Sequence, residues 1–383
     1  MKIVADDKIP FIQQILSNYA EVVYIPAHQI CRQHLQNCDA LLVRTRTQCN
    51  EELLSGTSIK FIGTATIGTD HIDLAYCLQN GIQVANAPGC NSNSVNQYVA
   101  SALAYYSLQK NIPLHRLTLG VIGHGNVGSK VTNTAKSLKM QVLVNDPPLS
   151  QTGLHANFQS IDELLQNSDI LTLHVPLSEF GQYPTLRFFD KSFFNKIKKA
   201  KLLINTSRGE VIAEDALLDY KTANPDFDYI IDVMANEPRV SKELLSSAML
   251  ATPHIAGYSA DGKANGSASI LKSLFQYFKI PFTDWYPEAI HTNQPIILNI
   301  DNTALSAETT AKTAILQTYN IQKDNDLLRQ DLKAFETIRN NYPQRLESHH
   351  YLVNLTRECT ETLIMLEDLG FKTNISSAQK SVI

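Results

Sequence analysis

The sequence has no long hydrophobic run and no excess of charge of one sign. No apolar stretch approaches the roughly 18 residues that a membrane-spanning helix needs, so we expect no membrane partner. The 383 residues carry a formal net charge of −4, so nothing indicates bulk binding of nucleic acid. The opening segment MKIVADDKIP places acids where the apolar core of a secretory signal would lie. We therefore expect no signal peptide.

The sequence also lacks any paired cysteine motif. Its cysteines show no C-x-x-C pair and no spacing typical of metal ligands, and they are Cys31, Cys38, Cys49, Cys77, Cys90 and Cys359. We therefore predict reduced thiols, a cytoplasmic location and no metal site. The length is too great for one ordinary core and predicts two or three domains.

One glycine-rich stretch, LTLGVIGHGNVG, occupies residues 117–128. A short apolar run precedes Gly123, Gly125 and Gly128, and a helix-like segment follows them. The G-x-G-x-x-G spacing is typical of a strand, a tight turn and a helix start that bind a dinucleotide. Gly123 permits the turn, Gly125 lets the backbone approach a pyrophosphate, and Gly128 lets the helix pack on the strand. The phosphates would then lie at the helix N-terminus.

A second apolar run, at residues 140–144, ends in Asn145 and Asp146. An acid at this distance from the glycines is typical of the residue that holds the ribose hydroxyls of NAD. Asp146 would repel the extra phosphate of NADP, and Pro147 and Pro148 follow in place of an arginine cluster. The sequence therefore predicts NAD as the cofactor. A glycine turn in some other α/β unit is the alternative.

Short apolar segments alternate with helical or turn-rich stretches along much of the chain. Strands are predicted at residues 2–6, 22–26, 39–44, 60–65, 81–86, 140–144, 201–209, 228–233, 249–257 and 295–300, and within 117–122 and 164–177. Helices are predicted at residues 10–18, 93–110, 263–279 and 326–340, and residues 314–320 fit helix or strand equally. This alternation predicts parallel sheets with helices on both faces.

Polar residues follow several of these strands. Arg44, Thr45 and Arg46 come after the third strand, and Thr66 comes after the fourth. Ligands of open α/β sheets bind outside the carboxyl ends of the strands. Small hydroxyls and guanidinium groups at these ends suit an anionic substrate, and ordinary turn residues are the alternative.

Three groups of complementary chemistry stand at or just past later strands: Arg208, Glu237 and His254. An arginine binds a carboxylate through two parallel hydrogen bonds. A histidine exchanges a proton near neutral pH, and a carboxylate beside it orients the ring and raises its pKa. Each residue alone has a structural explanation. All three downstream of a nucleotide fingerprint predict catalysis.

The chain resembles the D-isomer-specific 2-hydroxyacid dehydrogenases. The matching segments are GHGNVGS with Asp146, NTSRGEVI at 205–212, IDVMANEP at 231–238 and TPHIAGYS at 252–259. A narrower resemblance is to one branch that acts on a phosphorylated 2-hydroxy acid. It is carried by GTATIGTDHID at 63–73, NAPGCNSNSV at 86–95, HIAGYSADGKANG at 254–266 and RQDLKAFETIRNNYPQRLE at 329–347.

The resemblance implies an α/β fold of two doubly wound parallel-sheet (Rossmann-like) domains with a cleft between them, plus a C-terminal α+β dimerisation domain. A discontinuous substrate-binding domain would comprise residues 1–95 and 257–281, with the stretch 263–279 returning to the first sheet. The NAD-binding domain would comprise residues 96–256, and the dimerisation domain 282–383. The expected partners are NAD, a small phosphorylated 2-hydroxy acid and a second copy of the chain.

The resemblance also implies roles for residues. Arg208 would bind the substrate carboxylate, His254 would exchange the proton of the C2 hydroxyl, and Glu237 would orient and tune His254. The implied substrate contacts are Thr45, Thr66 and Tyr258. The implied NAD contacts are Gly123, Gly125, Asn126, Val127, Gly128, Asp146, Val175, Thr206, Ser207, Arg208, Asp232 and Gly257. The candidates for the substrate phosphate are Arg44, Arg46 and Lys263, and Arg345 from a partner subunit.

Some positions depart from the family pattern. Gln97 stands where a glutamate is expected, and Met234 and Ala235 stand where a tryptophan and an acid are commoner. Two other functions stay open at this point. One is a D-2-hydroxyacid dehydrogenase for glycerate, lactate or phosphoglycerate, and the other is a non-catalytic NAD-sensing corepressor on the same fold. The C-terminal tail argues against the first, and turnover would exclude the second.

Overall fold

The computed structural model describes residues 1–153, 158–290 and 294–375. The chain divides into two compact units. The first unit comprises Met1–Asn91 with Ser259–Asn293, and the second comprises Ser92–Tyr258 with Gln294–Ile383. The division into three domains stays a prediction. The last eight residues of its C-terminal domain, 376–383, and residues 291–293 within it lie outside the described residues.

Strands and helices alternate along most of the described chain. The strands are β1 (Lys2–Asp6), β2 (Glu21–Ile25), β3 (Ala40–Val43), β4 (Phe61–Thr64), β5 (Gln83–Ala85), β6 (Thr118–Ile122), β7 (Gln141–Asn145), β8 (Ile170–Leu173), β9 (Leu202–Asn205), β10 (Asp228–Ile231), β11 (Leu250–Ala251), β12 (Ile296–Ile300), β13 (Tyr351–Leu355) and β14 (Lys372–Ile375). The helices are α1 (Ile12–Leu16), α2 (Arg32–Leu35), α3 (Glu51–Leu54), α4 (Leu74–Gln79), α5 (Ser92–Lys110), α6 (Asn126–Ser137), α7 (Pro147–Gln151), α8 (Ile161–Asn167), α9 (Lys191–Lys196), α10 (Glu214–Ala223), α11 (Lys242–Ser247), α12 (Ala260–Tyr277), α13 (Ala307–Thr318), α14 (Ile321–Gln330), α15 (Phe335–Asn340) and α16 (Thr360–Asp368). Among the described helices, none has the length and apolar character needed to cross a membrane.

The first unit is built on a parallel sheet in the order β2-β1-β3-β4-β5. Neighbouring residues of β1 enter different cores, with Ile3 in one and Val4 in the other. Because successive side chains of a strand point to opposite faces, both faces of this sheet are covered. Helix α12 belongs to this unit, and its Ile270 and Leu274 pack in the core of Ile3. Helix α12, although late in the chain, therefore covers one face of the first sheet.

The second unit contains a parallel sheet in the order β11-β10-β9-β8-β6-β7. Leu202 and Leu203 of β9 again enter different cores. The strand order reverses between β6 and β8, which is where doubly wound sheets bind their ligands. The prediction of doubly wound parallel sheets is confirmed in both units.

Residues 294–375, here called the C-terminal region, carry a second sheet of the order β12-β13-β14, in which all pairs are parallel. Its helix α13 packs on α5, so that Ala311 and Ala314 share one core with Tyr98. The Ser101 hydroxyl donates to the carbonyl of Tyr319 at 2.8 Å. The C-terminal region therefore has its own sheet but no separate core from residues 92–258, here called the nucleotide part.

Two elements differ from the sequence-based prediction. The helix expected at residues 326–340 is interrupted, because α14 ends at Gln330 and Asp331 is extended. The Asp331 carboxylate then accepts from the Lys333 N–H at 2.9 Å and starts a new turn. The strand expected at residues 249–257 is only β11, of two residues, since the chain then turns toward the side chain of Asp232.

The C-terminal region also holds elements that the patterns did not predict. These are β13, α16 and β14. The segment 314–320, which fitted helix or strand, forms the end of α13 and the two residues after it. Neighbouring structure decides this, because α13 packs its small residues against α5.

Candidate active site

The glycine loop between β6 and α6 has the geometry of a phosphate-binding turn. Gly123 has a φ of +90°, and a Cβ there would collide with the carbonyl oxygen of His174. A Cβ on Gly128 would collide with the carbonyl oxygen of Gly123. Gly125 differs, because a Cβ there would meet no atom within 4 Å. Gly123 and Gly128 are therefore required by the surrounding backbone. Gly125 instead keeps open the space before the N-terminus of α6, which suits a pyrophosphate.

Asp146 stands directly after β7, beside this loop. Its Oδ2 accepts from the His124 N–H at 2.7 Å, and its Oδ1 accepts from the Leu149 N–H at 3.0 Å. The carboxylate therefore fixes the glycine loop and caps α7. It also lies at the strand end where the ribose hydroxyls of NAD are expected. Asn126 and Val127 form the first turn of α6, next to the loop.

His174 and Val175 follow β8, across the strand reversal from the glycine loop. The ring nitrogens of His174 lie 3.0 Å from Thr172 Oγ1 and 3.4 Å from Thr206 Oγ1. Burial lowers the pKa of His174 to about 3, so the ring is neutral at physiological pH. The sequence-based site included Val175 and Thr206 but not His174. His174 could have been predicted as a site residue, because it directly follows a buried strand.

Arg208 is carried by a turn that Asn205 fixes. The buried Asn205 amide donates to the Arg208 carbonyl at 2.9 Å, and its oxygen accepts from the Ser207 N–H at 3.0 Å. The Arg208 side chain is half-buried, and its Nη1 donates to the Ser207 carbonyl at 2.9 Å. The backbone from which the Arg208 side chain extends is therefore held in place at the end of β9, next to Thr206.

His254 and Glu237 form the hydrogen-bonded pair that the sequence predicted. His254 Nδ1 lies 2.7 Å from Glu237 Oε2, and Glu237 Oε1 accepts from the Met234 N–H at 3.0 Å. Burial acts to raise the pKa of Glu237, but the hydrogen bond and charge of His254, the Met234 N–H and the charge of Arg339 together lower it. Glu237 is therefore an ionised carboxylate that orients the ring through Nδ1, so Nε2 is the nitrogen that would exchange a proton.

Asp232 holds the loop that carries His254. The side chain is 1% exposed, and its oxygens accept from the Thr252 hydroxyl at 2.7 Å and from the N–H groups of Ile255 and Ala256 at 2.8 Å each. The Asp232 carbonyl also accepts from the His254 N–H at 2.8 Å. His254 has a φ of +57°, a conformation that side chains other than glycine disfavour. These bonds stabilise it, a role that the sequence did not predict for Asp232.

Tyr258 and Gly257 end the same loop, and residues of the C-terminal region contact Tyr258. Arg339 Nε donates to the Tyr258 hydroxyl at 2.9 Å, with the guanidinium carbon 5.6 Å from the ring centroid. The ring of Tyr342 meets the Tyr258 ring edge-on, with centroids 6.1 Å apart. The tail segment was part of the family resemblance, but its place beside residues 252–258 was not predicted. These residues are called the catalytic loop here because they carry the predicted acid–base residue His254.

Arg345 is not a phosphate-binding residue from a partner subunit, as the sequence had suggested. The side chain is 6% exposed. Its Nη2 donates to the carbonyl of Ala256 in the same chain, and its guanidinium lies 4.2 Å from the Tyr319 ring centroid. The prediction is wrong because folding of the tail buries this cation against the back of the catalytic loop.

The remaining predicted contacts lie in the first unit, considered by itself. Thr45 is exposed after β3, and Arg44 donates to the Lys8 carbonyl at 3.5 Å. Thr66 follows β4, where its hydroxyl lies 2.7 Å from that of Thr64 and donates to the Gly68 carbonyl at 3.2 Å. Arg46 is exposed in the turn after β3, and Lys263 is in the first turns of α12. Their parts in substrate binding stay predictions.

Comparison with known proteins decides the family. Residues 92–256 match the model of the D-isomer specific 2-hydroxyacid dehydrogenase NAD binding domain. The erythronate-4-phosphate dehydrogenase of Bacteroides fragilis is 42% identical over 93% of this chain and 100% of its own. The chain belongs to the erythronate-4-phosphate dehydrogenases. The member from Hahella chejuensis is 35% identical over 98% of this chain and 100% of its own.

Solved structures place this family among the wider 2-hydroxyacid dehydrogenases. An NAD-bound 3-phosphoglycerate dehydrogenase of Entamoeba histolytica is 26% identical with a TM-score of 0.63, over 73% of this chain and 95% of its own. A D-lactate dehydrogenase of Aquifex aeolicus, complexed with NAD and lactic acid, is 26% identical with a TM-score of 0.60, over 73% and 96%. The predicted NAD cofactor and fold class are confirmed. Residues 293–370 match a domain of unknown function (DUF3410).

Proposed function

We propose that the chain oxidises 4-phospho-D-erythronate to (R)-3-hydroxy-2-oxo-4-phosphooxybutanoate with NAD, an early step in pyridoxal 5′-phosphate (vitamin B6) biosynthesis. The observation that carries the chemistry is the 2.7 Å contact between His254 Nδ1 and Glu237 Oε2. The substrate is supported by the 42% identity with the Bacteroides fragilis enzyme over 93% of the chain.

NAD supplies the acceptor for the hydride that leaves C2. The residues that would hold it are the glycine loop, Asp146 and the turns after β8, β9 and β11. The open space at Gly125, at the N-terminus of α6, fits its pyrophosphate. The Asp146 carboxylate, oriented by two backbone N–H groups, fits its ribose.

His254 acts on the C2 hydroxyl. Its Nε2 removes the hydroxyl proton as the C–H bond breaks, so negative charge does not accumulate on the oxygen. The ring becomes positively charged at this moment, and the ionised Glu237 at Nδ1 stabilises that charge. Asp232 keeps the loop in place, so the ring does not have to be reoriented during the reaction.

Arg208 binds the substrate carboxylate. A guanidinium matches a carboxylate with two parallel N–H donors, which fixes the plane of the acid as well as neutralising its charge. Orientation of this kind aligns the C2 hydrogen with the acceptor and lowers the entropic cost of the step. Thr45, Thr66 and Tyr258 are proposed as further substrate contacts.

The test is single-turnover absorbance at the NADH band. The protein is mixed with NAD and 4-phospho-D-erythronate, with D-glycerate and 3-phospho-D-glycerate in parallel. We expect a burst with the phosphorylated erythronate that is lost in His254→Ala. Equal or faster reaction of another acid would overturn the substrate. NAD binding without hydride transfer to or from any acid would favour the corepressor.

We also propose a homodimer that forms through the C-terminal region. Ile296 and Ile297 are 40% and 56% exposed on opposite faces of β12, which is an edge strand of its sheet, and an exposed edge strand can pair with a second chain. Light scattering after gel filtration should give twice the chain mass for the wild type. Ile297→Lys should give a monomer, and a monomeric wild type would overturn the proposal. The cytoplasmic location stays a prediction.

A further inference from the structure

The C-terminal region brings one half-buried arginine to the catalytic loop. Arg339 lies in the last turn of α15, and its Nε donates to the hydroxyl of Tyr258 at 2.9 Å. Its guanidinium carbon lies 5.6 Å from the centre of the same ring. Tyr258 is four residues after His254 on one loop. The tail of the chain therefore reaches the loop that carries the acid–base residue.

The charge of Arg339 also reaches the acid–base pair. It is one of the groups that lower the pKa of Glu237, with the larger effects of His254 and the Met234 N–H. A cation that acts on Glu237 while bonded to Tyr258 lies near the reacting end of the site.

The contacts of Arg339 leave most of its donors available. A guanidinium has five N–H donors, and Nε uses one of them. Within residues 1–153, 158–290 and 294–375, no other hydrogen bond and no ion pair involves Arg339. The second arginine of this tail, Arg345, is different because it is buried against the Ala256 carbonyl and the Tyr319 ring. Arg339 is thus oriented by one bond and keeps two terminal amino groups for a ligand.

We infer that Arg339 binds the phosphate of the substrate and that Tyr258 holds the guanidinium in position to do so. The inference rests on the proposed function, in which the substrate carries a carboxylate at one end and a phosphate at the other. Arg208 neutralises the carboxylate, so a second cation is needed for the phosphate. Two parallel N–H groups of a guanidinium match two phosphate oxygens.

The experiment compares a phosphorylated substrate with its unphosphorylated counterpart. Arg339→Met should lower kcat/KM for 4-phospho-D-erythronate about 10- to 100-fold, mainly through KM, because a charge-assisted hydrogen bond is lost. It should change kcat/KM for D-erythronate less than about threefold, since that acid has no phosphate to bind. Arg339→Lys should recover part of the loss. Lys333→Met, an exposed cation in the preceding turn, removes the same charge and should leave both values unchanged.

Tyr258→Phe separates binding from support. We expect a smaller loss for the phosphorylated acid than in Arg339→Met, because the guanidinium would stay but lose its orientation. Parallel losses for both acids in Arg339→Met would show that Arg339 only supports the loop, and would overturn the inference. An equal effect of Lys333→Met would overturn it as well, because the effect would then be one of net charge.

A second measurement does not depend on turnover. Inorganic phosphate should raise the Tm of the full-length protein with NAD, and should raise that of Arg339→Met much less. Equal shifts in both proteins would overturn the inference. If the wild type fails to oxidise 4-phospho-D-erythronate, the proposed function fails, while the phosphate-induced shift still decides whether Arg339 binds the anion.

Discussion

The nucleotide part and the C-terminal region share one core but contribute to the site in different ways. The nucleotide part presents its functional groups at strand ends, with Asp146 after β7, Arg208 after β9 and His254 after β11. The C-terminal region reaches the same site from α15 and the segment after it, through Arg339 and Arg345. In the proposed mechanism the strand ends supply the chemistry, and the C-terminal region holds the loop that carries His254.

The support from the C-terminal region is a buried polar cluster. Asp324 accepts from the hydroxyls of Tyr319 at 2.9 Å and Tyr342 at 2.7 Å, and Arg345 lies over the Tyr319 ring. Burial raises the pKa of Asp324, against these hydrogen bonds and the charge of Arg345. Among the described residues, Nε and Nη1 of Arg345 already have no hydrogen-bond partner, so any substitution in this network leaves still more buried polar groups unpaired. Damage to it should therefore affect stability and activity together, unlike damage to a strand-end group.

The largest expected effect is a loss of activity without a loss of stability. His254→Ala should lower the single-turnover rate about 10²- to 10⁴-fold, because the proton acceptor is removed. The half-exposed ring belongs to neither hydrophobic core of this unit, so the fall in Tm should be small beside the loss of rate. His115→Ala is a matched control, since His115 Nδ1 lies 2.8 Å from Glu308 Oε2, a similar pair away from the strand ends. A comparable rate loss in His115→Ala would contradict the assignment.

The second prediction compares alanine substitutions at two glycines of the same loop, through their effects on NAD affinity and on stability. Gly128→Ala should destabilise the protein even without NAD, because the new Cβ collides with the Gly123 carbonyl oxygen. Gly125→Ala should leave the Tm unchanged, because a Cβ there meets no atom within 4 Å. It should still weaken NAD binding more than tenfold, since the Cβ would occupy the space of the pyrophosphate. Calorimetric titration with NAD measures this, and tight binding by Gly125→Ala would refute the pyrophosphate position.

The fold of the sheets could be predicted from local patterns. A buried parallel strand needs a short apolar run and a turn, and both are visible in the sequence at β3, β4 and β9. The interruption of the helix at Asp331 and the short β11 could not be seen in this way. Both depend on side-chain hydrogen bonds that compete with the backbone pattern, from Asp331 and from Asp232.

The groups at the strand ends could be predicted, whereas their supports could not. Arg208, Glu237 and His254 lie in segments whose chemistry is visible in short motifs. Arg339 and Arg345 stand six residues apart in one charged tail, and nothing local distinguishes them. Only the fold shows that one is buried against carbonyl groups and the other is half-exposed beside Tyr258. Tertiary contacts assign such roles, so the sequence-based prediction for Arg345 was wrong.

The third effect compares two arginines that tie the C-terminal region to the nucleotide part. Arg345→Met should destabilise the protein by about 3 kcal/mol and lower kcat about tenfold, because Ala256 and Asp324 lose a buried charged partner. Arg329→Met should cost about 1 kcal/mol and leave kcat unchanged. Its Nη2 donates to the carbonyl of Ala248 at 2.8 Å, away from the catalytic loop. Urea unfolding and steady-state kinetics measure the two effects. Equal effects of both variants on kcat would remove the special role of the cluster.

The smallest effect is a difference in acid sensitivity between the two regions. Burial lowers the pKa of His174 from 6.5 to about 3. Above pH 6.5 the ring is neutral in both states and has no effect on stability. Below pH 6.5 the unfolded chain binds the proton first, so stability falls as the pH approaches 3. The loss should be about 1 kcal/mol at pH 5, since water screens part of the charge on a half-buried ring.

Glu308 of the C-terminal region should act in a lower pH range. Burial acts to raise its pKa, but the Leu114 N–H, His115 and Lys312 together lower it below the ordinary 4.5. Its contribution is therefore present above pH 4.5 and is lost as the pH falls further. Compared with the wild type, the Tm of His174→Asn should depend less on pH between pH 6.5 and 5. The Tm of Glu308→Gln should depend less on pH only below pH 4.5. If both variants reduce the pH dependence of Tm over the same pH range, acid does not destabilise the nucleotide part before the C-terminal region.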